Sequence, residues 1–287
     1  MVPALGARIA YAKRTGNLLA LIYFNAAIST LCFVASDKGD VRDLPDSCFA
    51  NRFGDLIDLT AAERGALARL EERTRPLRRG HILVRENDPQ AELFVLSGGM
   101  MMSYVLLDDG SRQILRFLFP GDMMGSSALV YRRSVETIAA VTDCVVCPFD
   151  RQALTTLMAQ QPRLSALMMV MNQLERVALT DRLASLGRTS ARARVAALLL
   201  EIRHSVAAAD RSDQPSFTLG LTQEEIGDAT GLTAVHVNRM LRQLEEEELI
   251  ARSNGCITLR DVATLSRVAN YVNRLEGLDL GWLPAPG

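Results

Sequence analysis

The sequence predicts an α+β protein: an N-terminal antiparallel β-roll (a double-stranded β-helix), a long helix, and a C-terminal winged helix-turn-helix. Three observations carry this. Short β-branched and apolar runs alternate with turn signals between Leu77 and Phe149. From Pro162 the apolar residues recur every three or four positions. Leu221–Leu244 reads as two capped helices around a glycine.

The 287 residues suit about two domains, each with its own core. Apolar residues at 48% and charged residues at 23% exclude a disordered tail or a fibrous repeat. With a net charge of −1, any contact with nucleic acid must rest on a local basic face. Five cysteines (32, 48, 144, 147 and 256) are odd in number and scattered, which excludes a disulfide framework and reads as reduced, cytoplasmic usage. His81, His204 and His236 have no partner at metal-ligand spacing, so no metal is expected.

Residues 1–45 form an extension of uncertain status. No charge occurs from Thr15 to Ser36, close to the ~20 apolar residues of a membrane span. Gly16, Asn17, Asn25, Ser29 and Thr30 weaken a lipid-facing helix. Four readings stay open: an extension packed on the domain, a start of translation placed too early, a membrane anchor, or a secretory signal. The first two are favoured, and with them no membrane partner.

Residues 46–153 are assigned to the roll. A helical stretch, TAAERGALARLEE, opens with Thr60 as N-cap and Glu63 three residues on, a capping box. Strand runs follow in HILVRE, AELFVLS, MMMSYVLL, RQILRFL, TIAAVT and CVVCPF, with Asp109-Gly110 read as a two-residue hairpin turn. Cys144 and Cys147 have the spacing of a redox or zinc pair, but residues three apart in a strand point to opposite faces, so both are assigned to packing.

Residues 154–189 form the long helix and hinge. Leu164, Leu167, Met168, Met171, Leu174 and Ala178 describe a seam for a homodimer, the alternative being that it packs on its own roll. Gly187 is expected to end that helix and Ser190 to cap the next, ARARVAALLLEIRHSV, before a loop at 207–216.

Residues 190–276 form the winged helix-turn-helix, followed by a tail, 277–287. Thr222 and Glu225 make a capping box, Gly231 ends the first helix and Thr233 caps the second. Ile226, Ala229, Leu232, Val237, Leu241 and Leu244 hold the pair together. Ala234, Val235, His236, Asn238, Arg239 and Arg242 are left outward, at the end that enters a major groove. Arg239 offers the fork that reads guanine, and Asn238 can pair with adenine. Thr222, Gln223 and Thr233 lie at helix starts, where hydroxyls and amides take phosphate. Asn254-Gly255 between two short strands is a type I′ signal and marks the wing. Five arginines between Arg182 and Arg203 are the nearest basic supply, and Glu245–Glu248 reads as a solvated helix end.

This order of parts, and above all LTQEEIGDATGLTAVHVNRMLRQLEEEELI, resembles the bacterial Crp/Fnr family of transcription regulators over about Leu56 to Arg274. The resemblance implies a homodimer on a pseudo-palindromic operator in double-stranded DNA, RNA polymerase as a partner, and an effector in the roll. Where cyclic-nucleotide-binding members carry Gly-Glu-Leu and then Arg-Ser/Thr-Ala, this chain reads GDMMGSSALVYRRSVETIA. Gly125 matches, Ser126 replaces the glutamate, and Ser134 or Val135 falls near the arginine's place. The candidate effector residues are therefore Gly125, Ser126, Ser127, Arg132, Arg133, Ser134 and Thr180, and cyclic AMP is not expected. Nor is an iron-sulfur cluster, because Cys32 and Cys48 are too few and too far apart. Members that read TGTGA-like or TTGAT-like half-sites carry Glu where Val235 stands, so the operator here is expected to differ.

The function expected is a regulator whose activity is set by an unidentified signal acting on the roll. A ligand-independent or thiol-responsive regulator, or a membrane-tethered sensor using residues 15–36, stays as the alternative. No set of nucleophile, base and oxyanion donors converges in the motifs, so no enzyme is expected.

Overall fold

The computed structural model describes residues 47–211 and 214–286; the extension 1–45, its uncharged stretch 15–36 and Cys32 lie outside the described residues. The chain begins with two short helices, α1 (Cys48–Gly54) and α2 (Ala61–Ala68), the second closed by the Thr60–Glu63 capping box. Eight strands follow: β1 (Arg75–Leu77), β2 (Ile82–Val84), β3 (Glu92–Gly98), β4 (Met101–Leu106), β5 (Arg112–Leu118), β6 (Met123–Met124), β7 (Thr137–Ala140) and β8 (Cys144–Asp150). They form two antiparallel sheets, ordered β1-β8-β3-β6 and β2-β7-β4-β5.

Between the sheets Phe94, Leu96, Met101, Leu118, Met124 and Ile138 fill the interior of the roll. The outer face of the first sheet, with Leu93, Val95, Cys147 and Phe149, is covered by α1 and α2. Strand β3 is apolar on both sides for this reason: its alternate residues serve two different cores. Cys144 belongs to the interior and Cys147 to the outer core, opposite faces as the strand period requires.

Helices α3 (Arg151–Gln160) and α4 (Pro162–Arg188) come next, with Pro162 at the first position of α4, where its missing N–H costs nothing. Helix α5 (Ala191–Asp210) is capped by Ser190, whose hydroxyl accepts from the Ala193 amide. The C-terminal domain continues with β9 (Ser216–Thr218), α6 (Gln223–Thr230), α7 (Ala234–Glu246), β10 (Ile250–Ser253), β11 (Cys256–Leu259) and α8 (Val262–Ala269), the strands ordered β10-β11-β9.

Several local expectations are corrected. Gly187 does not end α4, which runs on to Arg188. The loop expected from 207 begins later, because α5 continues to Asp210. The Asp109-Gly110 turn is not a two-residue hairpin. Only Gly110 has positive φ, and the Leu107 amide donates to the Ser111 carbonyl across a three-residue loop. Helices α1 and α8 and strands β1, β6 and β9 are additional to the expected elements.

A candidate DNA interface

Helix α6 starts at the Thr222 cap: the Glu225 amide donates to the Thr222 hydroxyl (3.1 Å), and the Thr222 amide donates back to the Glu225 carboxylate (2.7 Å). It ends at Gly231 in the left-handed conformation, φ 65°. Thr233 then caps α7, accepting from the His236 amide. Ile226, Ala229, Val237, Leu241 and Leu244 are buried between these helices and α5, with Leu232 packed at the edge.

Sequence reasoning missed Gly227. Its Cα faces the turn so closely that a Cβ would lie 2.4 Å from the Leu232 carbonyl oxygen, and the Leu232 amide donates to the Gly227 carbonyl. A glycine inside a short helix, where it disfavours the helix, was the available signal of a close backbone approach.

The outward face of α7 is as expected in position. Val235 is 82% exposed, Arg239 and Arg242 are exposed, and Ala234, His236 and Asn238 are partly exposed beside them. Thr222, Gln223 and Thr233 are exposed at the two helix starts. The Arg239 guanidinium lies 2.8 Å from His236 Nε2, so the two share one turn of the surface. In the wing, Asn254 and Gly255 both have positive φ, the type I′ turn the dipeptide signals.

The surrounding charges are arranged differently from the expectation. Glu245 is not merely solvated: it receives the Arg252 amide and guanidinium, which tie the wing strand to α7 and hold its carboxyl below the usual range. Glu247 pairs with Arg192 of α5. Arg182 pairs with Glu201 (2.7 Å) and Arg194 donates to the Thr230 carbonyl, so three of the five arginines in the supposed basic supply brace the fold instead.

The candidate effector residues do not assemble into one pocket. Gly125, φ 74°, is pinned by the Gln90 side chain, whose amide donates to its carbonyl, and opens a 3₁₀ turn at Ser126–Leu129. The Ser127 hydroxyl is buried without a partner. Ser134 is buried, but its hydroxyl is turned to the Glu136 carbonyl (2.6 Å). Arg132 and Arg133 stand in solvent, the latter donating to the Asn87 carbonyl. Thr180 is exposed on α4 and bonds back to the Arg176 carbonyl of its own helix.

The seam on α4 is corrected in its first four residues. Leu164, Leu167 and Met168 are buried in the core with Phe49, Phe53 and Leu154, and Met171 packs against the same cluster. Leu174 is half-buried and Ala178 exposed. The large apolar side chains that α4 leaves exposed are Met169, Leu179 and Leu183. Spacing could not separate the two faces, since both carry apolar residues.

Comparison with known proteins gives the same two parts. Residues 74–161 match the family of cyclic nucleotide-binding domains, and residues 193–268 match the Crp-like helix-turn-helix domain. The transcriptional activator protein Anr of Pseudomonas aeruginosa is 27% identical over 77% of this chain and 89% of its own length. The fumarate and nitrate reduction regulatory protein of Vibrio cholerae is 26% identical over 74% of this chain and 84% of its own. Among solved structures, FixK2 from Bradyrhizobium japonicum is 27% identical, covers 70% of this chain and 98% of itself, and superposes with a TM-score of 0.62. The winged helix-turn-helix, the roll before it and these relatives agree: the chain belongs to the Crp/Fnr family of transcription regulators.

Proposed function

We propose that this protein is a homodimeric regulator that reads a pseudo-palindromic operator in double-stranded DNA through α7, in the cytoplasm, with RNA polymerase as a partner. The observation that carries the reading is the face of α7. Val235, Arg239 and Arg242 are exposed on a helix whose opposite face, Val237, Leu241 and Leu244, is buried. That leaves a guanidinium fork and small side chains free to meet base edges, while the caps at Thr222 and Thr233 present amides to phosphate. Two-fold symmetry follows from pairing α4 helices, for which Met169, Leu179 and Leu183 supply the apolar contact. Among the described residues no helix is long and apolar enough to cross a membrane.

The test is competition between a DNA site selected from a random pool and random duplex. Arg239→Ala should weaken binding to the selected site by ~1–3 kcal/mol per subunit while changing random-sequence binding far less. Equal losses on both would reduce Arg239 to a phosphate contact, and no loss would remove α7 from the interface.

A further inference from the structure

On the outward face of α7 the Arg239 fork is not loose: it is bonded to the imidazole of His236. We propose that His236 is a positioning residue for sequence readout. Its ring nitrogen steers the Arg239 fork onto one guanine, so the preference for that base pair depends on a side chain that does not touch it. This deepens the reading of α7 as the helix that meets DNA, and rests on it.

Chemistry fixes the direction of the bond. The Arg239 guanidinium lies 2.8 Å from His236 Nε2. An arginine side chain has N–H donors and no acceptor. The bond therefore needs a bare Nε2, which puts the proton of the neutral ring on Nδ1. His236 is anchored in its turn, because its amide donates to the Thr233 hydroxyl of the helix cap. The ring thus hangs from the first turn of α7, and side chains three residues apart on a helix are neighbours on one face.

No other side chain of α7 one turn from Arg239 can take this place. Those three and four positions away are Val235, His236, Arg242 and Gln243. Val235 and Arg242 have no acceptor. Gln243 lies on the C-terminal side, where its amide is donated to Glu247 (3.0 Å), and would draw the fork away from the end of α7 that enters a groove.

A neutral acceptor also suits the task better than a charged one. Arg192 and Arg252 of the same domain are held by Glu247 and Glu245. A carboxylate on Arg239 would cancel its charge and would have to be displaced by the base. An arginine with no partner would keep the rotamer freedom of a long chain and lose it on binding. The imidazole engages one N–H and leaves the charge whole. The remaining N–H groups still include a pair on adjacent nitrogens, enough to meet guanine O6 and N7.

Two measurements on the full-length protein test this. The first needs no DNA. Imidazole nitrogen shifts should show His236 with Nε2 bare and Nδ1 protonated, and Arg239→Ala should move the ring toward the Nε2–H form. His236→Gln identifies its signals among the three histidines of the chain. A ring protonated at Nε2 from the start, or one unmoved by Arg239→Ala, would overturn the proposal.

The second uses a duplex selected from a random pool by the unsubstituted protein, and the same duplex with each base pair replaced in turn. Arg239→Ala marks the base pair that Arg239 reads. His236→Phe keeps a ring but no acceptor. It should weaken binding to the selected duplex by about three- to tenfold per half-site and flatten the preference at that base pair only. His236→Gln, whose amide oxygen stands about where Nε2 does, should restore most of both. Added to Arg239→Ala, His236→Phe should cost nothing further. A loss of undiminished size in that background would make His236 an independent contact. A loss on random duplex with a shallower salt dependence would make it a phosphate contact. Either sinks the proposal, as does a His236→Gln that restores nothing. The two readings fail separately: a silent His236→Phe beside a damaging Arg239→Ala removes only the positioning role. An Arg239→Ala that is silent, or that marks no base pair, sinks the base reading itself and this proposal with it.

Discussion

A methyl group on Gly227 would meet the Leu232 carbonyl oxygen at 2.4 Å, on the turn that sets α7 against α6. Gly187, in the last turn of α4, has nothing within 4 Å of the same added atom. The two helical glycines thus make opposite predictions for one substitution. Gly227→Ala should cost ~1–3 kcal/mol, because the backbone must move apart. Gly187→Ala should stabilise by ~0.5–1 kcal/mol, the usual gain of helix propensity. Denaturant midpoints decide, and shifts in the same direction would show that the close approach is not what holds Gly227. Beside them Val235, 82% exposed, leads the outward face of α7 with a side chain that cannot accept a hydrogen bond. Val235→Glu should therefore add a preference for cytosine at one position of each half-site, worth ~1–3 kcal/mol. Sequencing the DNA bound from a random pool reads this directly, and an unchanged pool would place Val235 away from the bases.

Helix α4 shows where legibility ends. Its existence, its start at Pro162 and its apolar spacing follow from the sequence, as do the caps at Thr60, Ser190, Thr222 and Thr233. Capping and turn chemistry are local, so Asn254-Gly255 also behaves as its dipeptide demands. What spacing cannot convey is which of two apolar faces meets the roll, because α1 arrives from far along the chain to build the core around Leu164 and Leu167. The same limit hid β1 and β6, whose pairing partners β8 and β3 are distant in sequence. The corrected faces are separable by experiment. Leu167→Ala opens a space in the core of the single chain and should cost ~2–5 kcal/mol of stability. Leu183→Glu, at a position 72% exposed in the single chain, should leave the fold intact and shift sedimentation from dimer toward monomer, with operator affinity falling alongside. A dimer that withstands the glutamate would move the partner contact off this face of α4.

Across the whole molecule the roll and the DNA-binding half share one core. Met100, Met102, Tyr104, Phe117 and Ala139 of the second sheet pack in the same cluster as Leu199, Phe217, Ile226 and Val237. Polar contacts frame that joint. Arg112 of β5, lying over the Tyr104 ring, pairs with Asp228 of α6 at 2.7 Å, and the Gln113 side chain donates to the Asp228 carbonyl at 2.8 Å. On the α4 side Arg182 reaches both the Leu115 carbonyl and Glu201. Both partners of the Arg112–Asp228 pair are about three-quarters covered, so removing one carboxylate leaves a guanidinium without its counter-charge in a half-dry joint. Asp228→Ala should then cost ~1–3 kcal/mol. The loss should fall on the joint rather than on either half: amide hydrogens of β5 and α6 should exchange faster, while those of β3 and β8 keep their protection. The double variant Arg112→Ala with Asp228→Ala should recover part of the loss, because it removes the unpaired charge as well. Uniform loss of protection through β3 and β8 would mean that the two halves unfold as one unit, with no joint for a signal to adjust.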